Sequence, residues 1–424
     1  MIETAGLNLR GPNPERFLVW LLERAELHNA SPYANLLVYL YSKSPISPEP
    51  PPSLGSAFGI QPPAASMAAF GSHSKVPSME DELHRSHALM MEELERDERF
   101  LPSAFWRDIS QKNMAMLEAD GLENFKRTVS QNYYNWVIGS ETEMYKRVYR
   151  DWCEHRTLRP WFTRNEKNIR LRFTTGSEPV QLTAKQAEDY RLYVTYVWDL
   201  MRRADKAKLR NKVSEPETGN PIRIRSGTKL ISQDLANSII EANVVAELLQ
   251  QAGDKPRIAE IGAGSGRLAH VCASTLKGSY FIFDIPPALY VSQWYLTRVM
   301  PQKRIFSFRS FDDFADIEKE LERADIAFFT ANQLDKFPPN YFDVILSIST
   351  LPEMRPDQVS LYFSLFQSLS RRHIYLKQWK SWKNPLDGTD IQVENYLLGS
   401  DWQIIMDRTD PIVPEFFNRV WRRN

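Results

Sequence analysis

The alternation of short β-rich runs with helical patterns in the C-terminal part of the chain restricts the possible folds more than any other feature. Such alternation, from about residue 254 to residue 424, is typical of a parallel sheet with helices on both faces. The clearest runs are Arg257–Ile261, Tyr280–Asp284, Ile326–Thr330, Phe342–Ile348 and His373–Gln378. The last two runs, 402–408 and 415–421, have no helix between them and predict an antiparallel pair. We therefore expect an α/β fold whose sheet is mostly parallel, with an antiparallel C-terminal strand.

Two other zones precede this sheet domain, which we assign to residues 251–424. Residues 1–75 contain one helical pattern and then seven prolines between Pro45 and Pro63, which predict a linker that is extended or partly disordered. Residues 76–250 are dominated by amphipathic helical patterns. We expect this mainly helical region to cover the open edge of the sheet and to supply much of the pocket that binds the substrate. A homodimer formed through its helices is compatible with the pattern.

Composition excludes several classes of protein. The 53 basic and 53 acidic residues balance, which argues against a nucleic-acid-binding chain. No apolar run approaches the roughly 18–20 residues of a membrane span, and the N-terminus lacks the pattern of a secretory signal. Two cysteines, Cys153 and Cys272, form neither a disulfide framework nor a cysteine-rich zinc site. We therefore expect a cytoplasmic enzyme with no nucleic-acid or membrane partner.

A glycine-rich turn is the strongest local signal for a ligand. It follows the strand Arg257–Ile261 directly and leads into a helix. Glycine is required where a chain turns sharply or where a ligand approaches the backbone closely. The residues of this turn that we expect to contact a ligand are Gly262, Ala263, Gly264 and Gly266. A glycine turn that only packs a helix against the sheet is the alternative.

Two acidic residues near the turn indicate the kind of ligand. Asp284 ends the next strand, 24 residues after Glu260, where a carboxylate can accept both hydroxyl hydrogens of a ribose. A dinucleotide fingerprint needs glycine at the position of Arg267, and Glu260 would repel a pyrophosphate. The same carboxylate attracts the cationic amino-acid end of S-adenosylmethionine. The pattern thus resembles class I S-adenosylmethionine-dependent methyltransferases, which have a Rossmann-like sheet, and Ile285 is a further expected cofactor contact.

The loops after the next two strands complete the expected cofactor site. In class I methyltransferases the loop after the third strand borders the adenine, so this resemblance implies contacts from Asn332 and Gln333. A turn role for Asn332 is the alternative. Ligands lie outside the carboxyl ends of parallel strands where the strand order reverses, which places residues 347–354 over the reaction centre. Within them, Ser349 is an expected cofactor contact.

Most of the region 215–424 resembles the sugar O-methyltransferase family. The segments that carry the resemblance are Glu260-Ile-Gly-Ala-Gly-Ser-Gly-Arg-Leu, Phe283-Asp-Ile-Pro-Pro-Ala-Leu-Tyr, Ala331-Asn-Gln-Leu, Glu353-Met-Arg-Pro-Asp-Gln and Lys377-Gln-Trp-Lys-Ser-Trp-Lys-Asn-Pro-Leu-Asp. A weaker likeness covers Asn132-Tyr-Tyr-Asn-Trp and Gly219-Asn-Pro-Ile. The resemblance implies methylation of a sugar hydroxyl. In many relatives we expect a histidine just before Glu353, where this chain has Pro352, so the proton acceptor is in question.

A neutral sugar hydroxyl is a weak nucleophile, and a positioned base accelerates its reaction by about 10² to 10⁴. Glu353 is our first candidate for this base, and a helix-capping role is its alternative. His270 is the reserve candidate, although a histidine one turn into a helix is more often packed or solvated.

Trp379 is expected to stack on the sugar ring, and Lys377 and Asn384 to bind its hydroxyls or a phosphate. A solvated loop is the alternative for these three residues. No histidine-rich or paired-carboxylate spacing requires a metal.

The leading hypothesis is therefore an S-adenosylmethionine-dependent O-methyltransferase that acts on a small sugar or a glycosylated metabolite. A methyltransferase for a phenolic or carbon acceptor is the second hypothesis. An inactive scaffold that binds the cofactor is the third.

Overall fold

The computed structural model describes residues 79–128, 169–171, 184–384 and 388–424. The linker expected within residues 1–75, the segment 132–136 and Cys153 lie outside the described residues. The described residues belong to one compact unit, Lys75–Asn424, so the helical region and the sheet are parts of the same unit.

The helical region contributes five helices and a small antiparallel sheet to the described part of the chain. In chain order these elements are α1 (Met79–Leu94), α2 (Ala104–Asp120), α3 (Phe125–Thr128), β1 (Ile169–Leu171), α4 (Ala184–Ala204), β2 (Ile224–Ser226), β3 (Lys229–Ile231) and α5 (Gln233–Leu248). Serine side chains cap two of the helices. Ser103 accepts a hydrogen bond from the amide of Trp106 at the start of α2, and Ser232 accepts one from Leu235 at the start of α5. These caps satisfy amide donors that have no partner within the helix.

The remaining elements build the main sheet and its helices. They are β4 (Arg257–Ile261), α6 (Arg267–Thr275), β5 (Ser279–Asp284), α7 (Ala288–Val299), β6 (Ile305–Phe306), α8 (Glu318–Leu321), β7 (Ile326–Thr330), β8 (Phe342–Ile348), α9 (Pro356–Leu369), β9 (Ser370–Trp379), β10 (Ser381–Lys383), β11 (Asp390–Gln392), β12 (Trp402–Thr409) and β13 (Phe416–Arg423). Strands β10 and β11 form a separate hairpin. The eight-stranded sheet has the order β12-β13-β9-β8-β4-β5-β7-β6.

This sheet confirms the predicted Rossmann-like α/β fold. Strands β4 to β9 of the sheet pair in parallel, and β13 pairs antiparallel with both β9 and β12. The antiparallel strand does not lie at the sheet edge. The chain first crosses to the outer position of β12 and then returns, so that β13 fills the gap between β12 and β9.

Two apolar clusters cover the two faces of the sheet. Along β5, Tyr280 and Ile282 belong to one cluster, and Phe281 and Phe283 belong to the other. This alternation follows from the two-residue period of a strand. Helices α5, α6 and α7 pack on the first face, and α9 packs on the second. Because helices cover both faces, the central strands β5 and β8 are buried along their whole length.

Strand β4 lies where the strand order reverses. The chain proceeds from β4 to β5 and β7 on one side, and then returns to β8 on the other side of β4. In open α/β sheets, ligands bind at the carboxyl ends of the strands beside such a reversal. The turn that follows β4 is therefore the position where the fold predicts a ligand.

Candidate active site

A cavity of about 330 Å³ lies at the carboxyl ends of the parallel strands. Five strands each contribute a residue at or just beyond their carboxyl ends: Gly262 for β4, Asp284 for β5, Ala331 for β7, Ser349 for β8 and Lys377 for β9. Its volume is in the range of small-molecule sites. Four gaps between neighbouring strands separate β9 from β7, which makes the row of strand ends about 19 Å long.

The glycine turn forms the floor of this cavity and has the backbone geometry that only glycine adopts easily. Gly262, Gly264 and Gly266 have φ values of 75°, 58° and 78°. A Cβ atom at Gly262 would clash with the side chain of Thr350, so glycine allows the loop after β8 to close against the turn. Gly266 lies directly before α6 and lets that helix pack against Leu296.

The two acids predicted to flank the turn both line the cavity. Asp284 accepts hydrogen bonds from the amides of Gly264 (2.8 Å) and Ile285 (2.7 Å). Glu260 accepts one from the hydroxyl of Tyr280 at 2.8 Å. Burial raises the pKa of each carboxyl group to about 7. A cation or a set of hydroxyl donors in the cavity would favour the ionised form of both groups.

Seven of the predicted cofactor residues line this cavity. They are Glu260, Gly262, Ala263, Gly264, Asp284, Ile285 and Ser349. Ser349 has a φ of 55°, a conformation that is uncommon for residues other than glycine. The structure thus brings together residues that are up to 89 positions apart in the sequence.

The amides expected to contact adenine are placed elsewhere. Asn332 donates to the backbone oxygen of Glu93 at 2.8 Å, and the side chain of Gln333 bonds to the backbone of Arg309 and Thr330. Neither side chain lines the cavity, where Ala331 is the residue exposed instead. The turn after β7 thus directs both amides towards backbone groups rather than into the cavity.

His270, the reserve base, lies outside the wall of the cavity. It is buried on α6, and its ring contacts Tyr295 with centroids 6.2 Å apart. Burial lowers its pKa to about 4, so the imidazole is neutral at physiological pH. This placement corresponds to the packing alternative for His270.

Glu353 lines the cavity in the short turn after β8. Its backbone oxygen accepts a hydrogen bond from the Ser103 hydroxyl at 2.9 Å. Burial raises the pKa of its carboxyl group to about 8, and no hydrogen bond to that carboxyl group is present in the described part of the chain. Glu353 does not cap α9, whose N-cap residue is Arg355. Its carboxyl group therefore remains available to a ligand.

Lys377 is buried in an ion-pair network at the β9 end of the cavity. Its Nζ atom lies 3.0 Å from Oε1 of Glu241 and 3.0 Å from Oδ2 of Asp410. Glu241 also pairs with Arg267, with a shortest distance of 2.6 Å. Sequence reasoning missed Glu241, although a lone carboxylate among apolar residues of a helix is the signal of a buried pair. Protein carboxylates thus already neutralise the charges of Lys377 and Arg267.

An aromatic wall closes the same end of the cavity. Trp379 packs against Phe416 with ring centroids 4.3 Å apart. Trp382 meets Phe105 of α2 edge to face at 5.4 Å. Trp106 also lines the cavity, so α2 contributes two aromatic side chains to it.

Two polar residues of α5, Asp234 and Asn237, line the cavity as well and were missed from the sequence. Burial raises the pKa of Asp234 to about 7. Asn384, a predicted substrate contact, is buried outside the cavity wall, where its backbone bonds to Thr389 and Gly388.

Among the described residues, no cluster of three or more histidine, cysteine, aspartate or glutamate side chains is arranged to hold a metal ion. None of the described helices combines the length and the apolar character needed to cross a membrane.

Comparisons with known proteins describe the fold only. No family model matches the chain, and no curated protein matches it. Among solved structures, magnesium protoporphyrin IX methyltransferase from Synechocystis PCC 6803 with bound SAH is 14% identical, covers 66% of this chain and 100% of its own, and gives a TM-score of 0.30. A Burkholderia thailandensis 1,6-didemethyltoxoflavin-N1-methyltransferase is 13% identical, with coverage of 45% and 78% and a TM-score of 0.30. Mitomycin 7-O-methyltransferase is 13% identical, with coverage of 45% and 57% and a TM-score of 0.27.

Proposed function

We propose that this protein is an S-adenosylmethionine-dependent O-methyltransferase that methylates a hydroxyl of a sugar or a glycosylated metabolite. The observation that carries the proposal is one cavity that contains both the glycine turn with its two acids and, at the adjoining strand end, the Glu353 carboxyl group.

The residues of the cavity fit the methyl donor. The Asp284 carboxyl group, held in place by two amides, would accept hydrogen bonds from the ribose hydroxyls. Glu260 would attract the ammonium group of the amino-acid end, and the glycine turn leaves space for close approach of the backbone. When bound, the donor supplies a methyl group that its sulfonium has already activated. The chain itself then has to orient the acceptor, exclude water and remove a proton.

Glu353 is the group that we propose for removing the proton. The Glu353 carboxylate would take up the hydroxyl proton as the acceptor oxygen receives the methyl group, and the bound donor would supply the sulfur leaving group that keeps the bonding electrons. A pKa of about 8 is near the working pH and therefore suits a general base.

The charges of the cavity wall favour an acceptor without a negative charge. Arg267 and Lys377, which line the wall, are both paired with Glu241, and Lys377 is paired with Asp410 as well. Neither is left to neutralise a phosphate or a carboxylate. The ionised forms of Asp234 and Glu353, which also line the cavity, would repel such a group. We therefore propose that the acceptor is a neutral or cationic sugar.

The aromatic wall supports a ring-shaped acceptor. Trp379 and Trp382 offer apolar faces against which the C–H groups of a sugar ring can pack. The same wall also suits a planar phenol, which is why a phenolic acceptor remains the second candidate.

The first test of the proposal is calorimetric titration with S-adenosylhomocysteine. We expect the wild-type chain to bind it and Asp284→Ala to bind it at least about tenfold more weakly, because hydrogen bonds to a charged group are lost. Asp316→Ala is the matched control, since that acid is exposed and remote from the cavity wall. If the wild-type chain does not bind the ligand, the proposed cofactor is wrong.

The acceptor is tested by incorporation of labelled methyl groups. A panel of neutral sugars, amino sugars, sugar phosphates and phenols separates the candidates. We expect turnover with neutral or amino sugars and none with sugar phosphates. Turnover only with phenols would support the second candidate, and cofactor binding with no turnover on any class would support a scaffold.

A further inference from the structure

Besides Glu353, Tyr362 is a polar residue of the cavity wall whose side chain has no hydrogen-bond partner among the described residues. Tyr362, on α9, is 3% exposed and lines the cavity. Its hydroxyl takes part in no hydrogen bond within the described part of the chain. Two other buried tyrosines have protein partners: Tyr280 donates to Glu260 at 2.8 Å, and Tyr375 donates to Asn418 at 2.6 Å. A hydroxyl at the wall of a cavity that no described protein group engages is available to a ligand.

The position of Tyr362 identifies which part of the cavity this ligand would occupy. The Tyr362 ring meets Phe100 edge to face, with centroids 5.8 Å apart, and Phe100 lines the cavity too. Burial, together with the nearby Asp284 carboxylate, raises the pKa of the Tyr362 hydroxyl, which therefore stays protonated and able to donate. Asp284 ends β5, and Arg99, which precedes Phe100, donates to Asp335 in the turn after β7 at 2.8 Å. Phe100 and Tyr362 thus lie towards the β5–β7 end of the cavity.

We infer that Tyr362 hydrogen-bonds the adenosine half of the methyl donor and that Phe100 covers the same nucleoside. This inference rests on the proposed function, which assigns the ribose to Asp284. The recognised chemistry is that of a nucleoside: a planar base that packs against an aromatic ring, and polar atoms that accept a hydrogen bond from a phenol. The side-chain amides of Asn332 and Gln333, which the sequence predicts to contact the adenine, instead donate hydrogen bonds to backbone oxygens of the protein. Tyr362 would make the polar contact with the nucleoside that was predicted for them.

The two aromatic residues are held as one unit. The Gln358 side chain donates to the backbone oxygens of Arg99 (3.1 Å) and Leu101 (2.8 Å), on either side of Phe100. Arg355 donates to the oxygen of Leu101 as well, at 2.9 Å. Both donors lie at the start of α9, the helix that carries Tyr362. The subsite is therefore preorganised, and removal of the hydroxyl should change ligand affinity without disturbing the fold.

Tyr362→Phe tests this inference by removing a single oxygen atom. The matched control is Tyr396→Phe, because the Tyr396 hydroxyl is also buried and unpartnered but lies outside the cavity wall. Calorimetry would measure the dissociation constants of S-adenosylhomocysteine and of adenosine alone for the wild type and both variants. Thermal melting of the ligand-free proteins would check that the fold is intact.

We expect Tyr362→Phe to weaken both ligands by about 3- to 10-fold, which is the net effect of one neutral hydrogen bond. We expect Tyr396→Phe to bind both ligands within twofold of the wild type. Equal affinity of Tyr362→Phe and the wild type would overturn the inference, and so would an equal loss in both variants. A loss for S-adenosylhomocysteine but not for adenosine would move the contact to the other half of the donor and overturn the assignment. A wild-type chain that binds neither ligand would instead refute the proposed function.

Discussion

Replacement of Glu353 by glutamine tests two effects of the buried carboxyl group separately: its effect on the free energy of unfolding and its role in methyl transfer. The carboxyl group lines the cavity, and burial raises its pKa from 4.5 to about 8. Between these two pH values the folded chain keeps a proton that the unfolded chain has already released. The free energy of unfolding therefore falls as the pH rises through this window. Glutamine has nearly the same size as glutamate and cannot ionise. The variant's free energy of unfolding therefore lacks this decrease with rising pH.

The magnitude of the effect follows from the size of the pKa shift. A shift from 4.5 to about 8 corresponds to at most about 4 to 5 kcal/mol. With a pKa of about 8 in the folded chain, most of this difference develops between pH 5 and pH 8.5. Relative to the wild type, Glu353→Gln should thus gain at most about 4 kcal/mol of unfolding free energy over this range. In methyl transfer the same variant should lose about 10² to 10⁴ in kcat.

The assay combines urea denaturation with initial rates. Unfolding free energies of the wild type and Glu353→Gln are compared at pH 5 and pH 8.5, which requires no acceptor. With the acceptor found in the panel, the wild-type rate should rise between pH 6 and pH 8, because only about a tenth of the carboxyl groups are ionised at pH 7. The bound sulfonium favours the carboxylate and shifts this rise to lower pH. A variant with no relative stabilisation at pH 8.5, or with a rate within threefold of the wild type, would refute the reasoning.

Two further predictions concern the acids and the buried lysine. Burial raises the pKa values of Glu260 and Asp284 to about 7, and an ammonium group and ribose hydroxyls bind their ionised forms, so the dissociation constant of S-adenosylhomocysteine should fall by about tenfold or more between pH 6 and pH 8. Titrations in buffers with different ionisation enthalpies should show proton release, and a constant affinity would contradict the prediction. Lys377→Met should destabilise the chain by about 3 to 5 kcal/mol, because it leaves Glu241 buried beside one cation fewer. The surface variant Lys112→Met should cost less than about 1 kcal/mol in the same denaturation assay, and similar losses in the two variants would count against a buried pair.

The order of strands and helices in residues 251–424 was predictable because each element carries its own pattern. The strand before the glycine turn, the turn itself and the acid at the end of β5 are read from local spacing alone. Spacing did not predict that β13 would insert between β9 and β12. Strand pairing depends on which edge remains open after the earlier strands have assembled, and no local pattern records that.

The sequence by itself determined the chemistry of the turn: glycines where the backbone must bend, and carboxylates before and beyond it. Only the tertiary structure decided what each remaining polar side chain does. In the folded chain, Asn332 hydrogen-bonds and Lys377 pairs with protein groups, whereas Glu353 and Tyr362 line a cavity. The reason is that a buried polar group takes whichever partner the fold brings within reach, and those partners come from segments remote in the chain.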